Sequence, residues 1–585
     1  MVSEPIYSVR PIKNLKDMLE QSADLYSEKD AFLIKEGDNN YRGIKYCDFK
    51  RDVDALGTAL LDLGLKDKFI AVIGENRYEW GVSYMSVVNG TGVAVPLDRE
   101  LPLSEIENLL IRSDASAIIF SEKLDKEMRM LSATLTSVKY FIRMDYAHMR
   151  QPSSSSSTEG TDGRFISYTG LIEYGRTLIE RCGNRDFLDS VIDPDKMSIL
   201  LFTSGTTDLA KGVMLSHNNI CSNIMATCSV LYLDSNDSVL SILPMHHTYE
   251  CTNGFLLMLY NGCTISFCQG LKHISKNLKE VKCTILLAVP LILENMYKKI
   301  WEQADKKKGM RLKLKTAIFI SDILYKAFNI DIRKKLFRQV HENIGGGIRL
   351  IISGAAAIDP RVSKGLGSMG IRVIQGYGLT ECAPIVTVNR DDAFRDASIG
   401  WPLPGTEVRI ENPNSDGIGE IAVKGSHVML GYFENSLATE KVLKDGWFYT
   451  GDLGRIDDSG FFYVTGRKKN VIVTKNGKNI FPEEVEAYLN KSSYIQECLI
   501  WGKYEEISGE TYVSAQIVPY IEAIKEKLRI DNPSQEDILK IINLEVKAVN
   551  SRMPLYKRIR KFTVRENEFE KTTTKKIKRY IEKIS

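Results

Sequence analysis

Short apolar runs alternate with amphipathic stretches along the first part of the chain. Residues 14–27 and 53–64 carry apolar side chains at helical spacing, and the second stretch stops at Gly64. The run 69–74, Phe-Ile-Ala-Val-Ile-Gly, lacks polar alternation and reads as a strand covered on both faces. A helix over 80–90 and a strand over 93–96 follow, then a helix over 104–113 and a strand over 117–120. Strands alternating with helices at this rhythm predict a parallel sheet with helices on both faces, an α/β fold. Residues 150–163, with serine unbroken from Ser153 to Ser157, read as a polar surface insertion. From Gly400 to Arg455 apolar and polar residues alternate between frequent turns, which predicts a small antiparallel β subdomain. Residues 471–486 then predict two short strands joined by an Asn476-Gly477 turn, with a helix from Pro482.

One stretch combines this pattern with candidate chemistry. A strand-type run, 197–202, leads into Thr203-Ser204-Gly205-Thr206-Thr207, then Lys211 and Gly212, with a helix expected from near Ser216. Small hydroxyls and a glycine in a turn between strand and helix can aim N–H and O–H donors at a phosphate chain. Lys211 adds a positive charge. The spacing is not that of the P-loop: six residues separate Gly205 from Gly212, and the lysine precedes the second glycine. Taken alone, the stretch fits a polar surface turn as well as a triphosphate cradle.

Further blocks sit at the ends of predicted strands. Residues 239–254 contain Pro244-Met-His246-His247-Thr-Tyr249-Glu250, where the histidine pair fits either an active-site wall or a structural role. Leu350-Ile-Ile-Ser-Gly354-Ala355-Ala356 ends on small residues that leave room for a flat ring. Gln375-Gly376-Tyr377-Gly378-Leu-Thr380-Glu381 offers an aromatic for stacking and a carboxylate for a magnesium ion.

In this order the blocks resemble those of the adenylate-forming superfamily: acyl-CoA synthetases, luciferases and the adenylation domains of peptide synthetases. Asp208 and Ala210 stand where its phosphate loop has Gly and Pro. The resemblance covers about residues 15–580. It implies that Thr203–Thr207 and Lys211 hold the phosphates, with Thr206 among the catalytic groups. Gly354–Ala356 and Gln375–Gly378 with Thr380 would hold the nucleotide, and Glu381 would hold Mg²⁺. His247 would lie beside the acyl carboxylate, with the acyl pocket beginning at Tyr249. The same resemblance makes Asp452 and Arg467 ribose or phosphate contacts, Lys469 a hinge and Gly477 part of the coenzyme A side. The C-terminal Glu570-Lys-Thr-Thr-Thr574-Lys575-Lys576-Ile is similar to the superfamily's final lysine motif, with Glu570, Thr574 and Lys575 replacing Pro, Ser and Gly. Lys576 takes the catalytic lysine's place, with Lys575 as the neighbouring alternative. The expected architecture is an N-terminal domain of layered α/β subdomains, 1–466, which includes the phosphate loop at 201–217 and the β subdomain at about 400–465. A small mobile α+β C-terminal domain, 467–585, follows.

Composition narrows the setting. A chain of 585 residues with 43% hydrophobic and 26% charged residues is a multidomain globular protein. A net charge of +3 argues against nucleic acid as the main partner. Ten scattered cysteines without a CxxC pair fit a reducing cytoplasm better than a disulfide framework or a zinc site. No signal-peptide core opens the chain, and no run of about 18 apolar residues occurs. The helical stretch 291–345 is unusually basic, including Lys306-Lys-Lys-Gly-Met-Arg-Leu-Lys-Leu-Lys315. It reads either as a solvated helix face or as a face touching anionic lipid at the inner membrane surface.

The implied reaction uses ATP, Mg²⁺ and coenzyme A: a carboxylate attacks the α-phosphorus, and the thiol then attacks the acyl-adenylate. The His-His-Thr-Tyr-Glu order, the basic insertion and the chain length resemble long-chain fatty acyl-CoA synthetases. Alternatives are a fatty acyl-AMP ligase serving a carrier protein, an aryl- or medium-chain acid:CoA ligase, and a nucleotide-binding scaffold. Retention of Lys211, Glu381, Asp452, Arg467 and a terminal lysine speaks against the scaffold.

Overall fold

The computed structural model describes residues 3–144, 163–203, 210–474, 479–505, 510–571 and 577–579. Apart from Gly163, the serine-rich stretch 150–163 lies outside them. Among the described residues, one sheet runs in the order Gly431–Tyr432, Lys211–Ser216, Met197–Thr203, Gly92–Leu97, Lys68–Ile73, Ala115–Ser121, Tyr140–Met144 and Phe165–Ser167. From Met197–Thr203 to Phe165–Ser167 every pairing is parallel. Ile70, Val72 and Ile73 are fully buried, as expected where helices cover both faces. Amphipathic helices Leu15–Leu25 and Leu103–Arg112 stand where the 3.6-residue spacing placed them, while the helix expected over 53–64 begins earlier and runs Tyr46–Asp62.

A second sheet has a parallel centre formed by Leu350–Ser353, Ile285–Ala288, Ser238–Ser241 and Thr264–Phe267. Arg372–Gly378 joins it in parallel and then pairs antiparallel with Ile385–Val388. Beside it, Phe32, Phe49, Tyr78 and Phe255 form a buried aromatic cluster with edge-on contacts. Phe255 is part of this core.

By internal contacts the chain divides into two compact units. The first contains the described residues within 3–407 together with 424–446. The second contains 408–423 and the described residues from 447 onward. The stretch 400–465 is divided between the two units. Gly419–Lys424, Trp447–Ile456 and Phe462–Arg467 form the antiparallel pairs expected of it. Gly431–Tyr432, by contrast, returns to pair with Lys211–Ser216 in the first unit. The last part of the second unit is α+β. Strands Ile495–Glu505 and Glu510–Pro519 are antiparallel, Ile559–Val564 adds in parallel, and helices Pro482–Leu489 and Gln535–Asn550 close a core containing Ile480, Leu489, Ile500, Ile517 and Ile542. Ile472–Val473 and Asn479–Ile480 pair as the two short strands expected there.

The phosphate stretch corrects one expectation. Its loop does not run from strand into helix. It joins antiparallel strands Met197–Thr203 and Lys211–Ser216, and helix His217–Cys228 starts only afterwards. Lys-Gly-Val-Met-Leu-Ser extends because it is sandwiched between two strand partners. The helix N-terminus is closed by its own capping box, Ser216 with Asn219, so its N–H groups are not aimed from the loop.

His217 is structural. Its Nδ1 accepts the Leu15 N–H at 3.1 Å, and its Nε2–H donates to the Val88 carbonyl at 3.0 Å. Burial holds it down at about 4, so it stays neutral. The unfolded chain, titrating near 6.5, binds the extra proton first as pH falls. Stability from this site is complete above about pH 6.5 and declines toward pH 4, by up to roughly 3 kcal/mol. Thermal melts at pH 7.5 and 5.0 should show a smaller acid-induced drop for His217→Gln than for the wild type. Equal drops would contradict the assignment.

Candidate functional site

The two ends of the phosphate loop are held by side chains. Thr203, half-buried at the end of its strand, donates its hydroxyl to the Lys211 carbonyl at 3.3 Å. Arg112 donates to the Ala210 carbonyl at 2.7 Å and lies 5.3 Å from the Phe202 ring centre. Ser204, Gly205, Thr206 and Thr207 lie outside the described residues.

Lys211 points its ammonium over the Tyr432 ring, 4.7 Å from the centroid. The Tyr432 hydroxyl donates to Glu381 Oε1 at 2.9 Å. The buried phenol thus joins a cation and a carboxylate that lie 170 positions apart in sequence. A cation over an aromatic face contributes about 0.5–2 kcal/mol, and a hydrogen bond to a charged group about 1.5–3. Tyr432 was not a sequence candidate, because a two-residue strand carries no readable periodicity. Backbone pairing reinforces the link: the Met429 N–H donates to the Glu381 carbonyl at 2.8 Å. Asn219 and Asn223, one turn apart on helix His217–Cys228, bond respectively to the carbonyls of Ser426 and Val428 and to the backbone of Ile385. They clamp the segments that carry Tyr432 and Glu381 to the element that follows the loop.

The histidine block is fixed from behind. Asn76 donates to Ser241 Oγ and accepts the Met245 N–H, at 2.8 and 3.0 Å. Ser241 donates to Glu250 Oε1 at 2.5 Å. Burial pushes Glu250 up to about 8, so at neutral pH it is a neutral acid. It sits in the π-helix Tyr249–Leu256, where a Cβ on Gly254 would fall 2.6 Å from its carboxyl. His246 is also held neutral, at about 4, by burial and then by Arg99. His247 is half-buried and accepts the Tyr249 N–H on Nδ1 at 3.2 Å. The Thr248 and Thr380 hydroxyls lie 3.5 Å apart, which brings the histidine block to the Thr380-Glu381 turn.

The small residues ending strand Leu350–Ser353 do accommodate a flat ring, but that ring is Tyr249. A Cβ on Gly354 would lie 2.7 Å from Tyr249 Cζ, and the Tyr249 hydroxyl donates to the Ile352 carbonyl at 2.9 Å. Ala355 takes a left-handed φ of 69°, and Ala356 is exposed. Gln375 is an internal cross-link: its oxygen accepts the Ile358 N–H at 2.8 Å and its amide donates to the Ser398 carbonyl at 2.9 Å. Gly376 and Tyr377 pair with Val388 and Thr387, and a Cβ on Gly378 would fall 2.1 Å from the Pro384 carbonyl.

In the second unit, Asp452 is buried and bonded to Arg467 at 2.6 Å, across paired strands on which the two residues are register partners. Lys469 is exposed in a short turn. On one side Lys468 bonds Glu420, and on the other Asn470 bonds Glu483, each at 2.8 Å. Gly477, Lys575 and Lys576 lie outside the described residues. The described residues on either side of the two lysines make specific bonds. Lys571 bridges Ile577, and it reaches Glu497 and Glu568 at 2.7 Å each. Arg579 bonds Glu486 and the Ile500 carbonyl.

The chain matches the AMP-binding enzyme family model over residues 19–433 and that family's C-terminal domain model over 469–581. It belongs to the AMP-binding enzyme family, the adenylate-forming superfamily. It is 27% identical to Long-chain-fatty-acid–CoA ligase 1 of Cavia porcellus, over 89% of this chain and 75% of that protein. It is 26% identical to Long-chain-fatty-acid–CoA ligase FadD15 of Mycobacterium bovis, over 90% and 88%. The fold matches the anthranilate CoA ligase AuaEII in complex with anthranoyl-AMP (TM-score 0.73, 20% identity, covering 99% and 97% of the two chains). It also matches ATP-bound MatB from Rhodopseudomonas palustris (TM-score 0.73, 21% identity, 97% and 98%).

Gly354→Ala should cost about 1–3 kcal/mol by driving the Tyr249 ring off its site. In a Tyr249→Ala background the same change should cost almost nothing. Urea unfolding of the four proteins checks this, and additive losses would mean that the ring does not set the requirement for glycine.

Proposed function

We propose that this enzyme activates a long-chain fatty acid with ATP to acyl-AMP and pyrophosphate, then transfers the acyl group to coenzyme A with release of AMP. The observation that carries the reading is the Lys211–Tyr432–Glu381 linkage beside the phosphate loop. It assembles a cation for phosphate oxygens and a carboxylate for a metal ion. The names of the curated relatives, matched over most of the chain, support a long-chain acid as substrate.

A fatty acid is already ionised at pH 7, so its carboxylate needs no base. The rate depends instead on neutralising charge as the α–β phosphoanhydride bond breaks and pyrophosphate leaves. Lys211 would offset charge on the outer phosphates, together with the hydroxyls of Thr203–Thr207. Glu381 with the Thr380 hydroxyl is a hard-oxygen donor pair that fits Mg²⁺, an ion commonly bound through one or two carboxylates plus substrate phosphates. When bound, Mg²⁺ would supply further phosphate charge neutralisation. Asp452 would accept hydrogen bonds from the ribose hydroxyls and be oriented by Arg467, while Tyr377 and Ala355–Ala356 would flank adenine. His247 would line the acyl carboxylate, and Tyr249, locked by Gly354 and Ile352, would set the start of the acyl pocket. Lys576 would approach the phosphates during adenylation. Rotation about Lys469 would then withdraw it and admit the thiol on the Gly477 side.

Product analysis with palmitate tests the reading. Palmitoyl-CoA and AMP should form in equal amounts, with little turnover when coenzyme A is omitted. Palmitoyl-AMP accumulating without thioester, even with coenzyme A present, would point to a carrier-protein ligase. Turnover with benzoate or octanoate but not palmitate would reject the long-chain assignment.

Lys576→Ala should slow adenylation about 10²–10³-fold yet convert presynthesised palmitoyl-AMP to thioester at nearly the wild-type rate. Single-turnover assays of each half-reaction check this. Equal loss in both steps would reject the role, and a split seen only in Lys575→Ala would move it to that residue.

A further inference from the structure

Helix Met310–Phe328 carries apolar side chains on two faces. On one face Ser321 is buried and reaches the Ser368 carbonyl at 3.4 Å, while Asp322 accepts the Ser368 hydroxyl at 3.1 Å. This docks the helix on Pro360–Ser368. The opposite face is apolar as well as exposed. Leu312, Phe319, Ile320 and Ile323 are 70%, 66%, 47% and 44% exposed. At about 100° per residue these four fall within one arc of roughly 100°. Lys313 and Lys315, both exposed, flank it on opposite edges.

Charge is concentrated at the same place. Residues 306–338 hold eleven Lys or Arg against two Asp, in a chain whose total excess is +3. Lys306, Lys307 and Lys308 are exposed immediately before the helix. Among the described residues no helix is long and apolar enough to cross a membrane, and this one is interrupted by lysines on its exposed side.

We infer that helix Met310–Phe328 is a monotopic membrane-binding element, which lays its Leu312–Phe319–Ile323 stripe into the acyl boundary of a bilayer while the surrounding lysines contact anionic lipid headgroups. The arrangement suits a helix lying in the plane of an interface: the apolar stripe is buried, and the lysine stems extend along it to place their charges at headgroup level. A solvated helix face would not expose four large apolar side chains in register. A second copy is a poor occupant, because a two-fold contact through the stripe sets the same basic cluster against itself. Each basic residue close to an anionic surface strengthens binding about fivefold, so three lysines together matter about a hundredfold. Lipid binding at this helix does not depend on which acid the enzyme activates.

The test is co-sedimentation of the full chain with vesicles of phosphatidylcholine, alone or with about one-third phosphatidylglycerol. The wild type should sediment with the anionic vesicles, bind neutral ones at least tenfold more weakly, and be released by molar salt. Phe319→Ser/Ile323→Ser should lose about tenfold or more. Lys306→Gln/Lys307→Gln/Lys308→Gln should lose about a hundredfold. Thermal melts of both variants should match the wild type, since the altered side chains are exposed. Absence of vesicle binding, or equal binding to neutral vesicles, would overturn the proposal. So would self-association through the stripe, detected by analytical ultracentrifugation and abolished by Phe319→Ser/Ile323→Ser, without vesicle binding. Binding to polyglutamate as tight as to anionic vesicles and insensitive to the Phe319 and Ile323 changes would assign the surface to an acidic protein instead.

Discussion

The pairing of Gly431–Tyr432 onto strand Lys211–Ser216 is the constraint on which the candidate site depends. Without it, Lys211 at the end of the phosphate loop and Glu381 on a turn of the other sheet would have no common partner. With it, one phenol presents its face to the ammonium and its hydroxyl to the carboxylate. The charges are opposite, yet each is engaged by a different part of the same ring. The ring thus stands between the ammonium and the carboxylate and bonds to each.

Around this linkage the polar interior is kept neutral or internally satisfied. His217 and His246 are held uncharged by burial, and Glu250 is held as an acid. Asn76, Asn219, Asn223 and Gln375 use their amides to tie strand ends and turns together. Neutral cross-links of this kind hold segments in place without adding fixed charge to a region where a triphosphate would bind. Strength in the scaffold and charge at the site are assigned to different residues.

Most of the fold was legible because helix and strand periods differ. Helices Leu15–Leu25 and Leu103–Arg112 and strands Lys68–Ile73 and Ala115–Ser121 lie where the apolar spacing placed them. The strand Lys211–Ser216 was not legible, since six residues following a polar loop fit the entry to a helix equally well. Tyr432 was missed because its strand is two residues long. Gln375 and Gly354 occurred in blocks that suggested ligand contact, but their local neighbours are Ile358, Ser398 and Tyr249, all distant in sequence. Such long-range contacts have no signature in spacing. The bonds that Lys571 and Arg579 make are of the same kind.

The central claim is that Lys211 and Glu381 serve one ATP-activating centre, and exchange of labelled pyrophosphate into ATP tests it most directly. The wild type should catalyse palmitate-dependent exchange without coenzyme A. Lys211→Ala should lose about a hundredfold or more, and Glu381→Gln should recover part of its loss at raised Mg²⁺. No acid-dependent exchange in the wild type, or exchange at the wild-type rate in Lys211→Ala, would contradict the claim.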